Sequence, residues 1–262
     1  MKKLLSLLIL VACCYGNAFG QEKLYAILEF MKVDGDQEQA YWETENFWEK
    51  IHQERIKNGD IVGWDLWSLK PGGEDQGYQY LTVTIFDDLA KMLNAGEGIM
   101  AAAQDAYSDY DEEQFQEKMK QTTSSRDLSI RLFVEVLKET TSDMTMEPGM
   151  VAGITLLKAK PGMGGQYENA EKEVFYPVHQ KMVDQNIMEY WGLGRVMLPF
   201  GSDVYASHII VTMFGDYDQF VKSIAVNPWE GADEETIKKA DEGRASRDLK
   251  WGYLGNLVKA VR

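Results

Sequence analysis

Cysteine is nearly absent from this 262-residue chain, and both copies, Cys13 and Cys14, stand in the first twenty residues. The remainder therefore holds no disulfide, no cysteine nucleophile and no cysteine metal ligand, and its stability must come from a packed core. Basic charge is scarce as well. The 27 Lys and Arg against 42 Asp and Glu give a formal charge of −15. Phosphate backbones need a basic face, so nucleic acid is not the expected partner, and the acidity reads first as solubility. No stretch approaches the ~20 apolar residues of a membrane span. No Ser-His-Asp set or paired-carboxylate signature stands out. Gly162-x-Gly164-Gly165 lacks the Lys-Ser/Thr of a phosphate loop, and the preceding Pro161 makes it a turn. What the chain does have is aromatic content: seven Trp and thirteen Tyr mark it as globular.

Residues 1–20 read as an export signal. Lys2-Lys3 is the basic start, Leu4 to Val11 the apolar run, and Ala18-Phe19-Gly20 a cleavage site. Cleavage would leave Gln21 first and, with Lys2 and Lys3 gone, take the charge to −17. Leu10-Val11-Ala12-Cys13 also resembles a bacterial lipoprotein box, so two forms are expected: a soluble periplasmic or secreted protein, or one anchored by a lipid on Cys13.

The chain contains itself twice. His52-Gln53 aligns with His179-Gln180, and at the same offset Trp48 meets Phe175, Trp64 meets Trp191 and Leu66 meets Leu193. Val83-Thr84-Ile85-Phe86 then matches Val211-Thr212-Met213-Phe214, and Ser125-Arg126-Asp127-Leu128 recurs as Ser246-Arg247-Asp248-Leu249. A repeat of about 125 residues is the size of a small domain. The expected organisation is a leader over 1–20, repeat 1 over 21–139, a linker over 140–149 with Pro148-Gly149, and repeat 2 over 150–262.

Alternation and helical spacing give strands over 24–32, 61–69, 78–86 and 128–138, with helices over 36–58 and from Asp87 onward. Pro71-Gly72-Gly73 ends the second strand. Repeat 2 follows with strands over 151–160, 188–198, 204–214 and 249–260, and a helix over 166–186 in which Pro177 predicts a kink or break. Each repeat thus reads βαββαβ, the ferredoxin-like motif. The halves differ most before the last strand, where repeat 1 carries the longer, glycine-bearing and acidic segment 87–124, either a cover over a site or surface decoration.

A duplicated βαββαβ chain resembles the dimeric α/β-barrel superfamily, which includes antibiotic-biosynthesis-monooxygenase-like, EthD-like and stress-responsive barrel domains. The resemblance rests on topology and the repeat and covers nearly all of the chain after the leader. It implies an α+β fold in which two tandem ferredoxin-like repeats close one intramolecular barrel, with helices outside and a small-molecule pocket within the barrel or between sheet and helices.

On that frame the apolar row Leu81, Val83 and Ile85 is expected under the helices, and Tyr78, Tyr80, Thr82 and Thr84 inside the barrel. In repeat 2 the row with Ile209 lies under the helices and His208 points inward. An enclosed His208 is an acid/base candidate, or a hydrogen-bonded structural histidine. Glu29, Arg131 and Glu135 are expected to cluster inside, since first and fourth strands adjoin. His52 and His179 occupy equivalent helix positions, which favours a shared packing role. Neither has a ligand partner at i+4, where Ile56 and Val183 stand, so no metal site is expected. Ser-Arg-Asp-Leu, Trp64 and Trp191 read as structural. Trp67, with Tyr41, Trp42 and Trp48, adds aromatic surface to repeat 1.

The resulting functional expectation is an exported small-molecule-binding barrel. As an enzyme it would be a cofactor-independent oxygenase or isomerase on a small aromatic or apolar substrate. His208, Tyr80 and Arg131 would move protons or polarise the substrate, and Glu29, Glu135, Trp67 and Tyr78 would bind it. No metal or cofactor is expected in that reading. A haem-binding variant would use His52, His179 or His208 as axial ligand. The alternative from another class is a non-catalytic envelope scaffold that contacts a partner through the acidic insert 105–117.

Overall fold

The computed structural model describes residues 23–70 and 77–262; the leader, Cys13 and the expected Pro71-Gly72-Gly73 turn lie outside them. Repeat 1 runs β1 (Tyr25–Lys32), α1 (Glu38–Lys57), β2 (Gly63–Lys70), β3 (Tyr80–Phe86), α2 (Leu89–Leu93), α3 (Ile99–Ala106), α4 (Glu112–Ser124) and β4 (Asp127–Glu139). Repeat 2 runs β5 (Val151–Ala159), α5 (Gly164–Ala170), α6 (Tyr176–Asp184), β6 (Tyr190–Leu198), β7 (His208–Phe214), α7 (Tyr217–Ile224), α8 (Glu234–Ala245) and β8 (Arg247–Val261).

Local chemistry explains the boundaries. Helix α1 is free of Gly and Pro, begins with Glu38 and ends with Arg55 and Lys57, so its charges complement its dipole. Gly59, at φ 74°, takes the left-handed turn that releases the chain toward β2. Asp88, Asp111, Asp216 and Asp233 cap α2, α4, α7 and α8, and Asp111 with Gln114 forms a capping box. No break occurs at Pro177: the chain stays helical from Gly164 to Asp184, and one turn of π-helix over Glu171–Phe175 leads directly from α5 into α6, in whose first turn Pro177 sits.

All eight strands form one closed antiparallel barrel in the order β1-β3-β2-β8-β5-β7-β6-β4. Within each repeat the last strand lies beside the first. Two seams join the repeats, β2 with β8 and β4 with β6. Segment 140–150 crosses one end of the barrel. It connects the end of β4 to the start of β5, close to where β1 and β6 begin and β8 ends.

Side-chain parity is the reverse of that expected. Leu81 points into the barrel with Ala26, Leu28, Val134, Ala152, Ile154 and Ile209, and Val83 and Val211 pack against the same core. Tyr80, Phe86 and Trp64 face the helices of repeat 1, and Trp191 and Phe214 face those of repeat 2. The physical reason lies in what each face meets. The inside of a closed barrel is apolar on every side, so it takes the uniformly apolar rows. The outer faces meet amphipathic helices and accept the mixed rows carrying Thr82, Thr84 and His208.

Candidate functional site

A cavity of about 440 Å³ lies between the outer face of the repeat 1 sheet and its helices. Its floor is the mixed row: Ile27 and Glu29 of β1, Thr82, Thr84 and Phe86 of β3, and Arg131 and Phe133 of β4. Helix α1 supplies Glu45, Trp48, His52 and Arg55 above it. The segment expected to be either a cover or decoration closes the side through Ala95, Gly96, Ile99 and Thr122. Helices α3 and α4 are held on α1 by Phe47, Ile51, Ala103, Tyr107 and Phe115, and by Trp48 Nε1 donating to Thr122 Oγ1 at 3.2 Å. The acidic side chains Asp105, Asp109, Asp111, Glu112, Glu113 and Glu117 face outward to solvent.

The wall carries three guanidinium groups and two carboxylates. Arg131 grips Glu29 through Nε at 2.7 Å and Nη2 at 2.6 Å, and Thr82 Oγ1 donates to the other Glu29 oxygen at 3.4 Å. Arg126 pairs with Glu45, whose side chain is 1% exposed. Burial pushes the Glu45 carboxyl up, against the pull of Arg126. Arg55 is buried, donates to Ala95 O at 2.9 Å and lies 3.4 Å from His52 Nδ1. Burial first, then Arg55 and Arg126, hold His52 well below its usual range, so the ring is neutral at pH 7. Its face stacks on Trp64 at 4.9 Å and 23°. Glu45 Oε2 and Arg55 Nε are buried with no hydrogen-bond partner among the described residues.

The sequence-level candidates fall in separate places. Glu29 and Arg131 pair as expected and line this cavity, but outside the barrel, not within it. Glu135 is not in their cluster. It takes Lys23 at 2.9 Å and Arg195 at 3.3 Å on the β4–β6 seam. Tyr80 faces the helices too, wedged beside Tyr41 and Trp42, and donates to Glu38 at 2.6 Å. Trp67 does point into the barrel, where it is buried. Tyr78 packs on Phe30 and Tyr253 at the barrel end opposite segment 140–150. His208 is 4% exposed on the helix side of repeat 2, not in the barrel, with Nδ1 on Ser207 at 2.8 Å and Nε2 on Glu168 at 3.2 Å.

Arg55 and Arg126 were not singled out as site residues. Arg126 had a signal, the repeated Ser-Arg-Asp-Leu, because in both repeats that arginine reaches back to a buried glutamate of the first helix: Arg126 to Glu45 and Arg247 to Glu171. Likewise His179 stacks on Trp191 at 5.2 Å and 14°, so the paired histidines share one packing arrangement. Where repeat 1 buries Tyr41 beside Tyr80, repeat 2 buries Tyr167 edge-on to His208, and Glu168 binds Arg195 through both oxygens. Burial alone would raise the Glu168 carboxyl, but Arg195 and His208 outweigh it and hold it down to about 2.

Haem ligation needs a free imidazole nitrogen aimed into an apolar slot. His208 spends both nitrogens on neighbours. His179 lines none of the cavities described here, and His52 opens onto a charged wall with two carboxylates. These residues do not fit haem. No group of three His, Cys, Asp or Glu side chains poised for a metal occurs among the described residues. No described helix is long and apolar enough to cross a membrane.

No protein-family model and no curated protein matches the sequence. Solved structures do match in shape. A putative monooxygenase from Lactobacillus acidophilus superposes with a TM-score of 0.56 at 13% identity, over 92% of this chain and 99% of that one. An anthrone oxidase-like protein gives 0.54 at 13% identity, over 92% and 94%. A haem-binding protein from Thermus thermophilus gives 0.50 at 12% identity, over 91% and 92%. The likeness is one of fold: like these structures, the chain closes an eight-stranded antiparallel barrel with helices outside, here from two βαββαβ repeats in one polypeptide.

Proposed function

We propose that the cavity of repeat 1 binds a small aromatic molecule that carries, or develops, negative charge on oxygen. The observation that carries this reading is the wall itself: three arginines against two glutamates, beside a neutral histidine and tryptophan faces, in a chain whose net charge is −15. A cationic pocket in an acidic protein selects anions against the surrounding field. Arg131 is half-exposed and available to a second oxyanion while it holds Glu29. Trp48 and Phe133 offer aromatic contact to a planar ligand.

As an enzyme, the site suits cofactor-independent oxygenation or isomerisation of such a molecule. His52, held neutral, accepts a proton from an acidic C–H or O–H of the substrate. Arg55 and Arg126 stabilise the anion that forms. A substrate anion that is electron-rich enough reacts with dioxygen without help from a cofactor. The likeness in fold to proteins described as putative monooxygenases and anthrone oxidase-like supports this arm. Export through residues 1–20, with cleavage before Gln21 or lipid attachment at Cys13, belongs to the same proposal, and N-terminal mass analysis of the mature protein tests it.

The test uses 1-hydroxy-2-naphthoate as a binding probe and an anthrone as a reactive one. Calorimetry with the naphthoate should show one saturable site per chain, weakened at least tenfold in Arg131→Met. Oxygen uptake with the anthrone should exceed the spontaneous rate and fall to it in His52→Asn. Absence of saturable naphthoate binding would overturn the site. Binding without oxygen uptake would leave a binding protein and overturn the oxygenase arm.

A further inference from the structure

The barrel interior holds a second cavity, of about 330 Å³, separate from the charged one and on the opposite face of the sheet. Its volume corresponds to about eleven waters at ~30 Å³ each. Small residues, Ala26 and Ala152 among them, stand on its wall where opposite sides of the barrel face each other. Val83, Val211 and Met213 project into it and remain only half-buried, although they point toward the centre of the barrel. Apolar side chains left with solvent-sized space in an otherwise packed interior lack contacts that an apolar ligand would supply.

The two ends of the barrel are built differently. At one end Phe30, Tyr78 and Tyr253 pack with centroids 5.3 to 6.1 Å apart, and Trp251 stacks on Tyr253. That end is plugged. At the other, segment 140–150 lies across the opening and inserts Met144 and Met146 into the cavity wall. The segment is pinned at its extremities. Thr140 N donates to Trp191 O, Thr141 N to Gln180 Oε1, and Gly149 N to Leu257 O, at 2.8 to 2.9 Å. Between them, the hydrogen bonds of 142–147 are local, from Met144 N to Ser142 Oγ, from Glu147 N to Met150 Sδ and from Met150 N to Glu147 O. The middle is thus held chiefly by two methionine side chains, which repack at low cost.

Two acids at this mouth are each bonded to a neighbour. Asp65, 3% exposed, takes Arg262 through both oxygens at 2.7 and 3.0 Å, and Glu139 accepts from Tyr190 at 2.9 Å. No unmatched cation stands there to receive an acidic head group among the described residues, so the chemistry selects an uncharged guest. We propose that the barrel interior is a second binding site, for an uncharged, largely hydrocarbon molecule, entered beneath segment 140–150 with Met144 and Met146 as displaceable corks. This site is independent of the anion-binding reading of the repeat 1 cavity.

The probe is N-phenyl-1-naphthylamine, a neutral apolar fluorophore, titrated into the full-length protein. One saturable site per chain with a blue-shifted emission is expected. Val83→Phe and Val211→Phe, which fill the cavity from opposite sheets, should each weaken binding at least tenfold. Thr84→Phe, which fills the repeat 1 cavity, should leave it unchanged. A second readout needs no variant. With 13C-methyl-methionine labelling, the probe should shift Met144, Met146 and Met213 and give direct contacts to them, and leave Met92, buried in the outer core of repeat 1, unmoved. Lack of saturable binding would overturn the proposal. So would binding lost in Thr84→Phe but kept in the two valine variants, or probe contacts to Met92 and not to Met144 and Met146. Loss of naphthoate binding in Arg131→Met, with the fluorophore unaffected, separates this site from the first.

Discussion

Replacing Arg247 by Met should destabilise the protein in a way that depends on pH. Arg247 Nε lies 3.3 Å from Glu171 Oε1, and the Glu171 side chain is 1% exposed. Burial raises the Glu171 carboxyl to about 7, with Arg247 and Tyr167 holding it down against that rise. In an unfolded chain the same group ionises near 4.5. A raised folded pKa gives stability that is fully present below 4.5 and lost as pH climbs through 7. Above 7 the loss stops in the wild type, because the folded protein ionises as well. In Arg247→Met the carboxylate has no counter-ion, Glu171 stays protonated, and the loss continues at about 1.4 kcal/mol per pH unit. At pH 8.5 the added deficit reaches about 2 kcal/mol, and at pH 5 it vanishes. A pH-independent part remains at both, since the guanidinium also lies over Tyr167 and Phe175 at 5.6 and 5.9 Å, worth about 0.5–2 kcal/mol. Urea unfolding followed by tryptophan fluorescence at pH 5, 7 and 8.5 measures the difference between variant and wild type, in which the histidine contributions cancel. An equal deficit at pH 5 and 8.5, or a larger one at pH 5, would refute the reasoning.

Three further outcomes are expected. Arg131→Met should cost under about 1 kcal/mol of stability, because the arginine is 49% exposed, while it weakens ligand binding; urea denaturation beside calorimetry separates the two. His179 is pushed down to about 4 by burial, so its neutral form stabilises the fold above 6.5 and that stability is lost as pH falls through 4. His179→Phe should flatten the acid limb of the stability curve between those values, and an unchanged slope would count against a buried neutral ring. Gly194→Val would place a side chain 2.5 Å from Val134 and 2.9 Å from Ile209, and chemical denaturation should show a loss of about 1–3 kcal/mol.

The barrel was legible because the repeat is: matched Trp64 and Trp191, followed by Val83–Phe86 and its counterpart, fix two copies of one strand order. Adjacent first and fourth strands followed from that order, and Glu29 does face Arg131. The inward direction did not follow. Alternation along Tyr80–Phe86 says that two faces differ, but not which meets helices and which meets another sheet. That single inversion moved His208 and Tyr80 from an imagined interior to the helical layer. Arg55 was invisible for a different reason: an arginine at the end of α1 looks like an ordinary dipole partner until the turn between α2 and α3 presents the Ala95 carbonyl to it.

The two seams that close the barrel bear on how the protein must be assembled. Repeat 1 alone would expose β2 and β4 as edge strands with unpaired N–H and C=O groups, and repeat 2 would expose β6 and β8. Neither half can be a finished monomer. A separated repeat must find a second copy of itself to re-form the seams, or stack into aggregates through them. Joining the halves by segment 140–150 makes seam pairing intramolecular and frees it from protein concentration. It also relieves the two halves of the identity that a symmetric dimer imposes, so that one can carry the Glu29–Arg131 pair at positions where the other has Thr155 and Gly252.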